Sequence, residues 1–177
     1  MISEPQAALA IQHLIPALLP SFEAWLSARG GLDAFLDAMS KGGYERSLAS
    51  AAVFNNHFER DRGMQLVEMF RSAQEIEGAA LTRAVEGSGL SYRVLLQMLP
   101  FAALLLMGSL RIACDQPLRE ILSRRLGARA KAPADPFAEL ADLVSWEAKG
   151  GRLNALAGVL NTVFGQRARQ RAAASPA

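Results

Sequence analysis

The chain has 177 residues, of which 51% are hydrophobic and 20% are charged, with a formal net charge of +2 at pH 7. A chain of this length buries roughly 70% of its unfolded surface, so its fold requires neither a disulfide nor a metal. The lone Cys114 excludes an internal disulfide, and its apolar neighbours predict a buried thiol. The first residues, MISEPQ, lack the basic start of a secretory signal, so we expect a cytoplasmic protein.

Almost every apolar residue along the chain falls into helical spacing, and no window alternates as a half-buried strand would. The first helix carries an apolar stripe that includes Leu14, Leu18 and Leu19, and Pro16 and Pro20 should bend or break it. The predicted elements are, in order, a helix over Pro5–Ala28, a short helix over Leu32–Met39, an amphipathic piece over Tyr44–Phe54, a short helix over Met64–Phe70 and a helix opened by a Ser72/Glu75 capping box.

The stretch Ser91–Cys114 is apolar on all sides, with Pro100 in its middle. Only seventeen residues lie between Arg93 and Arg111, whereas a bilayer span needs about twenty. We therefore predict the central helix of a soluble bundle, kinked at Pro100. The sequence Asp-Gln-Pro at 115–117 should end it, and a separate amphipathic helix should follow.

The C-terminal third divides by composition. We predict a helical core domain over residues 1–127, a Pro/Ala linker over 128–136, a helical hairpin over 137–165 and a disordered basic tail over 166–177. Asp135 should cap the first hairpin helix. The hairpin is too short to form its own core, so its apolar residues must pack on the body, on a second copy or on a partner. These candidate interaction residues are Phe137, Leu140, Val144, Trp146, Leu156, Leu160 and Phe164.

Charge is unevenly distributed, with −3 over residues 1–110 and +5 over residues 111–177. A basic region can meet nucleic acid, anionic lipid or an acidic partner. The densest basic patch consists of Arg124, Arg125, Arg129 and Lys131. No aromatic residue is interleaved with it, so it lacks the aromatic side chains on which the bases of a single-stranded nucleic acid would stack. A solvated surface is the interpretation we favour.

Two segments resemble a bacterial family of uncharacterised proteins, the domain of unknown function 937, which is related to the YidB-like group. They are LIPALLPSFEAWLSARGGLDAFLDAMSKGGYER at Leu14–Arg46 and AQEIEGAALTRAVEGSGLSYRVLLQMLPFAALLLMGSL at Ala73–Leu110. The shared features are an "LxPxLL" helix followed by a glycine pair, and a later "SGL" turn before "LLxxLLPxxAxxxMGxL". The resemblance implies an all-helical fold and transfers no catalytic residue. The Arg/Ala-rich tail departs from the Gly/Leu-rich tails of the family.

Acidic and imidazole side chains gather only in the segment Asn55–Asp61. His57, Glu59 and Asp61 do not share one helix face, so a metal or acid–base site would need ligands from elsewhere. We expect a polar loop that caps a helix. The Gly87–Gly89 turn lacks the preceding strand and the lysine of a phosphate-binding loop. We therefore predict no catalytic residue, no metal site and no cofactor.

These patterns predict an all-α, compact multi-helix bundle around a central apolar, proline-kinked helix, with a C-terminal helical hairpin. The expected function is that of a non-enzymatic module for protein interaction or self-association, whose partner is another protein or a second copy. The alternatives are a peripheral membrane-associated protein, or a weak non-specific nucleic-acid binder that uses the C-terminal arginines.

Overall fold

The computed structural model describes residues 3–49, 51–76, 78–126 and 135–142, which contain helices and no strand. The prediction of an all-α, multi-helix fold is confirmed. The helices are, in chain order, α1 (Glu4–Ser27), α2 (Gly31–Gly42), two 3-10 helices (Tyr44–Leu48 and Ala51–Asn55), α3 (His57–Ala73), α4 (Gly78–Ser88) and α5 (Tyr92–Leu126). Residues 136–142 form a further short helical stretch.

Helix α5 is the centre of the bundle. It packs against α3, the first 3-10 helix, α1 and α4, and Ser91 caps it by accepting from the Val94 amide at 3.4 Å. By length and composition α1 and residues 92–124 could each cross a membrane, with mean hydropathies of 1.2 and 1.7. In the more apolar of the two, 61% of the apolar window is buried inside the protein. Most of this window therefore lies against the rest of the protein, as in the core helix of a bundle.

The expected break at residues 115–117 is wrong, because α5 continues through Pro117 to a length of 35 residues. Cys114, Leu118 and Leu122 are all buried and follow one another at intervals of four, so they lie on one helix face. A proline inside a helix costs about 3 kcal/mol. Burying each leucine contributes about 1.5–3 kcal/mol, which offsets that cost. Tertiary burial therefore outweighs the local signal.

Two predictions in the middle of the chain are also corrected. Helix α3 is longer than the predicted piece, because Asn56 caps it by accepting from the Phe58 amide at 3.0 Å. Ser72 does not open the next helix; it lies inside α3 and donates to the Met69 carbonyl at 2.6 Å. The first turns of α3 are polar, so a search for apolar periodicity does not detect them.

Four aromatic rings join the first three helices of the bundle. Phe22 of α1 meets Phe35 of α2 edge-on at a centroid distance of 6.0 Å, and Phe70 of α3 at 5.4 Å. Trp25 contacts the same two rings at 6.4 and 5.4 Å. Such tilted and edge-to-face pairs are the arrangement that the ring quadrupoles favour. The cluster fixes α1 and α2 on the α3 side of the bundle.

The contact between α3 and α5 depends on a glycine. A Cβ placed on Gly63 would lie 2.2 Å from the Pro100 carbonyl oxygen and 2.8 Å from the Pro100 Cβ. Both residues are buried, and neither backbone can move without displacing a whole helix. The close approach therefore requires glycine at position 63.

We predict that Gly63→Ala lowers the free energy of unfolding by about 2–3 kcal/mol, because the added methyl group forces α3 and α5 apart. Urea unfolding measures this. Gly78→Ala is the matched control, since a Cβ there meets nothing within 4 Å. It should leave stability unchanged or raise it by less than about 1 kcal/mol. Equal stability of Gly63→Ala and the wild type would contradict the close contact.

Candidate functional site

The C-terminal turn of α2 is where the polar interactions of the body converge. The last four carbonyls of a helix have no partner inside the helix, and its C-terminus carries a partial negative charge. Arg111 of α5 donates from Nη1 to the Met39 carbonyl. Arg62 of α3 donates from Nη2 to the Gly42 carbonyl. Two arginines from different helices thus donate to terminal carbonyls of α2, and their positive charge complements its dipole.

Arg62 is held in a half-buried network. Its Nη1 donates to both carboxylate oxygens of Glu59 at 3.0 Å, and Ser47 donates to Glu59 Oε2 at 3.0 Å. The guanidinium carbon lies 5.1 Å from the centroid of the Tyr44 ring. The side chains of Arg62 and Glu59 are 21% and 18% exposed, so solvent screens this pair only in part. The network joins α3 to the turn that follows α2.

Arg111 holds the C-terminal part of the described chain against the body. Its Nη2 lies 3.0 Å from Asp135 Oδ2, and its Nε lies 3.9 Å from Glu45 Oε2. The guanidinium carbon lies 4.7 Å from the centroid of the Phe137 ring, within cation–π range. The other oxygen of Asp135 accepts from the Phe137 amide at 2.9 Å, so Asp135 caps the helical stretch as predicted. A single arginine thus fixes both the cap and the first aromatic residue of the segment.

The predicted interaction residues divide into two groups. Phe137 is fully buried and Leu140 is 4% exposed, and both belong to the same hydrophobic cluster as the core of the bundle. At these two positions the hairpin segment packs on the body of its own chain. The remaining predicted residues lie outside the described part of the chain, and they are Val144, Trp146, Leu156, Leu160 and Phe164.

Of the four residues in the predicted basic patch, the structure describes only the side chain of Arg124. Arg124 is 81% exposed and lies 3.9 Å from Glu120 one turn earlier, a weak surface pair. The side chain of Arg125, and Arg129 and Lys131 entirely, lie outside the described residues.

A surface depression of about 370 Å³ lies at the start of α3. It has an apolar floor, where the Phe54 and Phe101 rings meet edge-on at 5.4 Å, and a polar rim. No carboxylate, hydroxyl or thiol side chain lines it, so a general base there would have no adjacent nucleophile. Its lining residues are Phe54, Asn55, Asn56, His57, Arg60, Gln97, Met98 and Phe101.

The three residues that raised the question of a metal site do not converge. His57 lines the depression, while Glu59 is engaged by Arg62 and Ser47 on the other side of the α3 start. Asp61 is exposed. Within the described ranges no three His, Cys, Asp or Glu side chains come close enough to hold a metal ion.

Sequence reasoning missed the outer face of α1. Leu19, expected in the buried stripe, is 36% exposed, as is Leu9. Between Glu4 and Glu23 the helix contains no Asp, Glu, Lys or Arg. This absence of charge was the available signal, because the exposed face of a surface helix is normally charged. We call seven exposed residues on one side of the helix the α1 stripe; six are apolar, namely Pro5, Ala8, Leu9, Pro16, Leu19 and Pro20, and the seventh is the polar Gln12.

No protein-family model, curated protein or solved structure matches this chain.

We predict that Arg111→Met lowers the free energy of unfolding by about 3 kcal/mol, because it leaves a partly buried carboxylate and a helix-terminal carbonyl without their donor. It should also speed amide exchange over residues 136–142. Arg124→Met, which removes an exposed arginine from the same helix, should change stability by less than about 0.5 kcal/mol. Unchanged exchange over residues 136–142 in Arg111→Met would refute the anchoring role.

We predict an alkaline loss of stability that depends on Tyr44. Burial raises the pKa of Tyr44 above its ordinary value of 10.0, and the nearby Arg62 opposes this only in part. The unfolded chain therefore ionises first as pH rises, so the stabilisation is full below pH 10 and is lost above it. Tyr44→Phe should flatten the decline in unfolding free energy above that pH, measured by urea titration. Replacing the exposed Tyr92 by Phe is the control; an identical decline in Tyr44→Phe and the wild type would contradict the prediction.

Proposed function

We propose that this chain is a non-enzymatic helical module that acts through protein–protein contact, and that its binding element is the C-terminal segment, residues 137–165. The observation that supports this is the anchoring of the start of the segment. Phe137 and Leu140 are buried in the core cluster, and Arg111 contacts both Asp135 and the Phe137 ring. The rest of the segment therefore starts from a fixed place on the body.

The remaining apolar residues of the segment provide the energetic reason for binding. Val144, Trp146, Leu156, Leu160 and Phe164 would each contribute about 1.5–3 kcal/mol, before entropic costs, when removed from water. Tryptophan is among the residues that most often dominate binding energy at interfaces. A surface that covers them is therefore favoured, whether it belongs to another protein or to a copy of this chain.

Binding through the basic residues receives less support. The one described side chain of the predicted basic patch, Arg124, lies close to Glu120, and the exposed face of α1 carries no cation that could attract an anionic lipid. We also propose that the protein is located in the cytoplasm and that it belongs to the YidB-like family. The family membership rests only on the two sequence segments quoted above.

The test compares the tagged full chain with a variant in which Trp146, Leu156, Leu160 and Phe164 are all replaced by Ser. We expect the variant to lose a partner captured from the native host at both low and high salt, or to lose self-association measured by light scattering. The variant should remain folded, with its helical content unchanged. A variant with four exposed apolar residues of the body replaced by Ser is the control, at positions Leu48, Phe58, Met64 and Leu96.

The proposal fails if the wild type is a monomer and if the wild type and the C-terminal variant capture the same proteins in equal amounts. Salt dependence of capture separates apolar binding from attraction to phosphate, because phosphate binding weakens steeply as salt rises.

A further inference from the structure

The α1 stripe is an apolar surface on the outside of the bundle. It covers about 120° of the helix circumference and extends about 22 Å from Pro5 to Pro20 at 1.5 Å per residue. Leu9 and Leu19 are each 36% exposed, and both prolines in the helix interior, Pro16 and Pro20, lie on this exposed side. Apart from Gln12 the stripe is apolar, and a largely apolar face on a water-exposed helix is typical of a surface that another element covers.

The charges at the ends of the stripe restrict what can cover it. Glu4 precedes the stripe and Glu23 follows it, and both are exposed. A second copy of α1 would bring these carboxylates together in either the parallel or the antiparallel arrangement, which is unfavourable. An anionic membrane would be repelled in the same way. The complementary occupant is an apolar helical face with a basic residue at each end.

This chain contains such a segment. Between Arg152 and Arg167 it places apolar residues at helical spacing, and the two arginines are about 22 Å apart at helical rise. From Lys149 to the last residue there are five Lys and Arg and no Asp or Glu. The apolar residues of the segment are Leu153, Leu156, Leu160, Val163 and Phe164. Length, apolar pattern and terminal charge all match the α1 stripe.

The connection is long enough for this docking within one molecule. Nine residues lie between Asp142, the last described residue, and Arg152, and the ten Cα–Cα steps that join these two residues span up to about 33 Å. A body of this size has a radius of gyration of only about 14 Å. Tethering also gives the segment a high effective concentration beside its own α1.

We propose that residues 152–167 dock on the α1 stripe of the same molecule, with Arg152 and Arg167 next to the two acidic ends. This rests on the proposed function in that it uses the same C-terminal segment as binding element, and it names the surface that the segment covers when no partner is bound. A partner must then displace it from α1.

The test is amide hydrogen exchange of the full chain, followed by mass spectrometry. Peptides that cover residues 152–167 should exchange at least about tenfold more slowly than a random coil. Replacing both Leu9 and Leu19 by Lys should remove this protection, while α5 keeps its own. Replacing Met64 and Leu96 by Lys is the matched control, because these leucine-sized residues are 41% and 42% exposed on other helices. This control should keep residues 152–167 protected.

Reversing the charges at both ends of the proposed contact gives a second, independent test. Glu4→Arg with Glu23→Arg should reduce the protection, and adding Arg152→Glu with Arg167→Glu should restore it.

Random-coil exchange of residues 152–167 in the wild type, or protection that survives the two lysines on α1, would overturn the proposal. Protection that rises with protein concentration would assign the docking to a second copy, and α1 protection found only with phosphatidylcholine vesicles would assign the stripe to lipid. Both results would also overturn it. Loss of partner capture in the C-terminal variant would leave the proposed function standing in each of these cases.

Discussion

The burial of the apolar stretch of α5 is the constraint from which the rest of the structure follows. Leu95, Leu104 and Met107 are fully buried, so this helix must be covered on several sides at once. Helices α1, α3 and α4 and the first 3-10 helix provide that cover. Glycine makes the closest approach possible, because at Gly63 the backbone of α3 lies directly against Pro100. Desolvation of this stretch makes a large contribution to the stability of the bundle.

The packing around α5 also creates a polar requirement. It leaves the C-terminus of α2 against α3 and α5, where its carbonyls need donors, and Arg62 and Arg111 provide them. Arg111 also forms an ion pair with Asp135 and lies over the Phe137 ring. A residue that satisfies a helix terminus therefore also determines where the C-terminal segment meets the body. Stability and the proposed binding role thus depend on the same side chain.

The outer face of α1 carries no charge between Glu4 and Glu23, and the sequence from Lys149 onward contains no acidic residue. These two features of the sequence are the basis of the proposed docking. An apolar element that docks on its own body keeps its hydrophobic residues out of water until a partner competes for them. Such competition makes the affinity of the partner depend on the strength of the internal contact.

Some features of this protein are determined by local sequence. Helical periodicity established the all-α class and the apolar central helix, and the capping roles of Asn56 and Asp135 are local hydrogen bonds that a short pattern predicts. The expectation of a polar loop over residues 55–61 is wrong in its extent, because α3 begins at His57; only the capping role, taken by Asn56, is confirmed.

Other features were decided by the tertiary structure alone. Periodicity shows that a helix has an apolar face, but it cannot show which neighbour covers that face, so Leu19 was expected inside and lies outside. The proline at position 117 signals a break, yet continuous burial on both sides of it keeps α5 intact. The role of Arg111 depends on residues 72 positions before it and 24 positions after it. Contacts at such separations exist only once the chain has folded, because no local pattern encodes them.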